Sequence, residues 1–110
     1  MKPNMAIKLM ITDPLPTDIE TFEKVYQEEH VPLAVRKLEG KINIVATKIV
    51  GSPQGTPPYY RIAEIHFPSM EMLEACAASP GGREALEYAA KISSGGLPQV
   101  MIAEDESFTF

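Results

Sequence analysis

The chain contains a single cysteine, Cys76, and no tryptophan. One cysteine excludes an internal disulfide and suits a reducing compartment, so a cytoplasmic location is expected. Two histidines and that cysteine make no Cys-x-x-Cys or His-Glu-x-x-His pattern, which leaves no zinc signature, and no metal is expected. Gly81-Gly82 and Gly95-Gly96 are helix breakers rather than phosphate-cradling loops, so no nucleotide or other bound cofactor is expected. Positive charge is scarce: 10 Lys and Arg face 15 Asp and Glu, for a formal net charge of -5 and no basic cluster. That balance argues against nucleic acid and against an anionic membrane surface as partners. No apolar run approaches the roughly 18 residues of a membrane span. Met1 to Met10 lacks the long apolar core and small-residue cleavage site of a signal peptide, so none is expected.

What remains is an ordinary globular composition, 45% hydrophobic and 23% charged, over 110 residues. That length predicts one domain, 1–110. A domain this small leaves much apolar surface uncovered, which favours association.

Met5 to Ile11 alternates imperfectly and predicts a first strand. Asp13-Pro14-Leu15-Pro16 reads as a turn, and Thr17 with Glu20 fits a capping box. Ile19, Phe22, Val25, Tyr26, His30 and Leu33 then recur every three or four residues. They predict one helix with an apolar stripe, closed at Gly40. Pro32 is expected to break or kink it. Lys41 to Val50 is β-branched and predicts a second strand, and Gly51 to Pro58 is a loop that is either a lid or an inert insertion. Tyr59 to Phe67 predicts a third strand, with Ala63, Ile65 and Phe67 on one face and Tyr60, Ile62, Glu64 and His66 on the other. Ser69 caps a helix through Ala78, Pro80-Gly81-Gly82 interrupts, and Arg83 to Ile92 is helical again. Pro98 to Ala103 is a last strand, followed by the solvated acidic run Glu104-Asp105-Glu106.

The order strand, helix, strand, strand, helix, strand predicts a ferredoxin-like α+β fold: a four-stranded antiparallel sheet with helices on one face. Met10, Ile62 and Met101 place apolar groups on the uncovered face. A homodimer with two sheets facing each other covers that face and encloses a cavity.

Tyr26 and His30, one helical turn apart, are the first chemical candidates. An imidazole near a pocket can act as a general base, or simply bond free carbonyls at a helix end. A tyrosine there can orient a carbonyl or donate to an oxyanion, or be a core residue with a wet hydroxyl. Glu64 and His66 share one strand face, and Lys8 lies opposite Ile7, Leu9 and Ile11. Together they form either part of a barrel pocket or an ionic cluster that sets dimer register. Cys76 reads as a small core residue and the methionines as gap fillers.

Several segments resemble the EthD family of dimeric α+β barrel proteins. They are Phe22-x-x-x-Tyr26-x-x-x-His30-x-Pro32, Leu38-x-Gly40, Ala63-Glu64-Ile65-His66-Phe67-x-Ser69 and Ala78-Ser79-Pro80-Gly81. His66 stands where the family usually shows tryptophan or another aromatic. The resemblance implies a homodimeric barrel and a catabolic role of oxidoreductase type, with cofactor-independent oxygenases, cyclases and isomerases among related barrels. The resulting expectation is a small, largely apolar organic ligand handled by acid–base chemistry, with His30 as base and Tyr26 orienting. Glu64, His66 and Lys8 are expected to bind the substrate. The alternative is a non-catalytic accessory protein that holds a pathway intermediate.

Overall fold

The computed structural model of the chain describes residues 6–110, so the expected strand start at Met5 lies outside the described residues. Four strands, β1 (Ala6–Pro14), β2 (Asn43–Lys48), β3 (Tyr59–Phe67) and β4 (Gln99–Asp105), form one antiparallel sheet in the order β2-β3-β1-β4. Helices α1 (Ile19–Val25) and α2 (Val31–Lys37) follow β1, and α3 (Met70–Ala78) and α4 (Pro80–Ile92) follow β3. This is the ferredoxin-like α+β fold that the sequence predicts.

Register fixes what each sheet face holds. Ile7 pairs with Phe67, Leu9 with Ile65 and Ile11 with Ala63, and all six pack beneath the helices with Ala34, Leu38, Leu73, Cys76, Ala85 and Ala89. The alternate residues face away from the helices. One cross-strand row there is Val45, Glu64, Met10, Met101, and the next is Asn43, His66, Lys8, Ala103. The register of β1 on β3 shifts at Asp13/Pro14, where Asp13 pairs with Arg61 and Pro14 with Tyr59. This bulge leaves Tyr60 without an opposite residue. It turns Tyr60 into an aromatic cluster with Phe22 and Tyr26, away from the mixed face expected for it.

The first helical segment is not one regular helix. A π turn spanning Tyr26–His30 joins α1 to α2, and the Val31 amide donates to the Tyr26 carbonyl five residues back. The reason lies in the spacing. Phe22, Tyr26, His30, Ala34 and Leu38 are all buried, at strict intervals of four. In an α-helix each such step drifts by about 40°, so Leu38 would stand roughly 160° from Phe22. One widened turn takes back most of that drift and holds all five against the sheet. It also absorbs Pro32, which sits in the first turn of α2 instead of breaking the chain.

Capping differs in detail from the expected pattern. Asp18 caps α1, one residue after Thr17, and its carboxylate accepts from the Thr21 amide at 3.1 Å. Ser79 both ends α3 and caps α4: its hydroxyl accepts from the Gly82 amide at 3.0 Å and donates to the Cys76 carbonyl at 2.6 Å. Pro80-Gly81-Gly82 is therefore the first turn of α4 and not an interruption. A Cβ on Gly82 would stand 1.9 Å from the Cys76 carbonyl oxygen, so the α3–α4 corner requires glycine.

Candidate functional site

The buried polar groups on the helix side converge where α1 and the π turn cross the ends of β1 and β3. Asp13 is 3% exposed, His30 5% and Arg61 7%. Around them runs a row of aromatic rings: Tyr60 edge-on to Phe22 at 5.9 Å, Phe22 stacked on Tyr26 at 5.5 Å, Tyr26 tilted to His30 at 5.5 Å, and His30 stacked on Tyr88 at 5.8 Å. The four-residue spacing on α1 and the π turn builds the centre of this row, and the β3 bulge supplies Tyr60.

Arg61 lies with its guanidinium carbon 4.8 Å from the Tyr26 ring centroid, a cation–π geometry. It donates to both carboxylate oxygens of Glu23, one turn earlier on α1; the Nε contact is 3.2 Å. Burial opposes the charge on each partner, but the bond between them prevails. Glu23 is held below its ordinary value and Arg61 above.

Asp13 is the register partner of Arg61. Burial pushes its carboxyl up to about 6, against the pull of the Arg61 charge. Burial likewise pushes the Tyr26 phenol up to about 12, with the Asp13 charge acting in the same sense. Burial holds the His30 imidazole below its ordinary value. Among the described residues His30 Nδ1 has no hydrogen-bond partner. Tyr88, which stacks on His30, donates from its hydroxyl to Glu29 at 3.1 Å. The site thus holds a neutral imidazole with a nitrogen to offer, a protonated phenol and a carboxyl that changes charge near neutrality.

A cleft opens onto this row between the start of α1 and the end of α4. It is lined by Thr17, Asp18, Thr21, Phe22, Val25, Ile92 and Ser94, and Phe22 is the ring it shares with the aromatic row.

The residues proposed from sequence fall into two groups that the sheet separates. Tyr26 and His30 lie together on the helix side. Lys8, Glu64 and His66 lie on the other face, so they do not complete a pocket with His30 within one chain. There Lys8 bonds Glu64 and, at 2.8 Å, Asp105, and these two bonds raise its pKa. Asp105 belongs to β4 and this ionic cluster, not to a solvated tail. Asp13, Arg61, Glu23, Tyr60 and Tyr88 are not among the site candidates read from the sequence. Among the described residues no group of three or more His, Cys, Asp or Glu is placed to hold a metal ion. No helix there is long and apolar enough to cross a membrane.

Comparison with known proteins adds to this geometry. The EthD domain model matches residues 15–91. An ethyl tert-butyl ether D (EthD) family protein from Bacillus halodurans is 31% identical, with a TM-score of 0.84 over 92% of this chain and 99% of that one. An 11.0 kDa protein of the thcB-thcC intergenic region of Rhodococcus erythropolis is 29% identical over 90 residues, 82% of this chain and 86% of that protein. A dimeric ferredoxin-like protein of unknown function from Bacteroides fragilis, 12% identical, shares the fold with a TM-score of 0.64 over 94% of this chain and 98% of that one.

Proposed function

This chain belongs to the EthD family, and from that premise and the geometry above we propose that it is a cytoplasmic homodimer that binds a small, largely apolar organic molecule against the aromatic row and moves protons on it. The observation that carries this reading is the buried, unpartnered Nδ1 of His30, between Tyr26 and Tyr88 in an aromatic row that the cleft reaches at Phe22. A neutral imidazole in that position accepts a proton from an activated carbon or hydroxyl, which is worth about 10²–10⁴-fold in rate. The Tyr26 phenol, protonated at all ordinary pH, orients the substrate or donates to the developing oxyanion. Such chemistry serves a cofactor-independent oxidoreductase, the class that family association favours, and equally a cyclase or isomerase. The open sheet face carries the homodimer, a reading supported by the description of the Bacteroides fragilis protein of this fold as dimeric.

One feature favours a second reading, an accessory protein that carries a pathway intermediate. Among the described residues no carboxylate bonds either ring nitrogen of His30, so nothing orients the imidazole as a base. The two readings separate in deuterated water. A panel of small aromatic ketones is incubated with the protein, and exchange of the acidic carbon-bound hydrogens is followed by NMR. The enzyme reading expects catalysed exchange that His30→Gln reduces at least a hundredfold with binding retained. Binding without exchange by the wild-type protein across the panel establishes the carrier reading instead.

A further inference from the structure

Resting on the reading that a ligand occupies the aromatic row, we infer that this site selects uncharged hydroxyl- or carbonyl-bearing aromatic molecules and rejects carboxylates and other organic anions. The argument comes from the inventory of charge. Arg61 is the only fixed cation among the described buried residues. Its guanidinium is already bonded to both carboxylate oxygens of Glu23 and lies beside Asp13 in register. An arriving carboxylate therefore finds no free counter-charge and must displace Glu23 to obtain one.

The cleft leading to the row repeats the pattern. Of its seven lining residues none is basic, and the one charged member is Asp18. The Asp18 carboxylate already occupies the amide end of α1 through the Thr21 N–H at 3.1 Å and the Thr21 hydroxyl at 2.8 Å. Those donors are thus not offered to a ligand. The rest of the lining is threonine, serine and apolar carbon, and it leads to the Phe22 ring. Phe22 supplies the ring that the cleft reaches, with Tyr26 and Tyr60 packed against it. Further along the row the buried His30 Nδ1 is the single polar anchor for a ligand that enters it, suited to a hydroxyl or a carbonyl with an acidic neighbour. Of the charged groups at the cleft and the row, Asp18 is held by Thr21, and Glu23 and Arg61 hold each other.

A matched pair of probes tests the inference. β-Naphthol and β-naphthoate have nearly the same shape and differ by a full charge near neutral pH. Each is titrated into the wild-type protein and into Glu23→Gln, and the ring resonances of Phe22, Tyr26 and Tyr60 locate the binding. The expected result is binding of naphthol at the row with naphthoate at least tenfold weaker. Glu23→Gln, which keeps an acceptor for Arg61 but removes the competing charge, narrows that gap. Naphthoate binding as tightly as naphthol at these rings overturns the inference and leaves the pocket reading standing. Failure of both probes to shift these rings at millimolar concentration overturns the pocket reading, and the inference with it.

Discussion

Asp13 and His30 answer to pH in opposite senses. The Asp13 carboxyl is raised by burial from 3.8 to about 6. The folded state therefore holds its proton where the unfolded chain has released it. Stability linked to this group is complete below pH 4 and declines as pH rises toward 6. Two units correspond to roughly 3 kcal/mol, and discounting for partial solvent screening leaves on the order of 2 kcal/mol. Asp13→Asn should abolish this slope. The stability gap between variant and wild type, from denaturant unfolding, should widen in the variant's favour by about that much between pH 4 and 7. A gap that stays flat would remove Asp13 from the set of buried titrating groups. His30, lowered by burial from 6.5, shows the reverse: its contribution is intact above pH 6.5 and is lost as the medium becomes more acid. Imidazole resonances followed by NMR should give a midpoint below 6.5, and one at or above 6.5 would show that solvent reaches the ring freely. How the residues were legible differs in the two cases. His30 stands on a visible apolar stripe. Asp13 reads as turn chemistry because proline follows it, and Arg61 is one charge within a predicted strand, with no local pattern that marks it for burial. Their burial depends on a bulge and on a Glu23 side chain 38 positions away, and local pattern contains neither.

At the level of the element, the π turn is an insertion whose removal should leave the fold intact. Without Glu28, which is exposed, the buried positions fall at intervals of four, three, four and four, the stripe of a regular α-helix. The shortened chain should keep its helical circular dichroism and melt no lower than wild type by more than a few degrees. It should also lose at least tenfold in naphthol affinity, because His30 moves from the fourth to the third position after Tyr26. Unimpaired binding in that variant would mean that the widened turn serves packing alone. The sequence does carry this signal: strict four-residue spacing over five buried positions does not suit a straight helix. The kink expected at Pro32 is the same strain, attributed to proline alone. The order of strands and the inward faces of β1 and β3 were legible because alternation is a local property. The side of the sheet that holds the site was not, since alternation defines two faces without saying which one the chemistry occupies.

For the whole molecule, the proposed homodimer places assembly on the open sheet face. Met101 is 41% exposed and Val45 40%, at the two ends of the row that contains Glu64 and Met10. Sedimentation at micromolar concentration should give twice the chain mass of 12.1 kDa. Met101→Lys should shift the equilibrium toward monomer, since a new charge is buried without a partner. A wild-type monomer would exclude the facing-sheet dimer. Because the sheet lies between this face and His30, the same variant should leave naphthol affinity within twofold of wild type.

The two faces also impose an arithmetic on the chain. Along β1 and the paired part of β3, odd-numbered residues face the helices and, in the proposed function, serve the ligand and the core, while even-numbered residues face the open side and serve the proposed partner copy: Asp13 and Arg61 on one account, Lys8, Glu64 and His66 on the other. Neighbours in sequence thus answer to different selective demands. Single substitutions let a lineage change its ligand without changing its partner. The insertion of one residue in β1 would exchange the two duties at a stroke. Relatives with altered chemistry should therefore differ by replacement in these strands, and gain or lose length in the loops outside them.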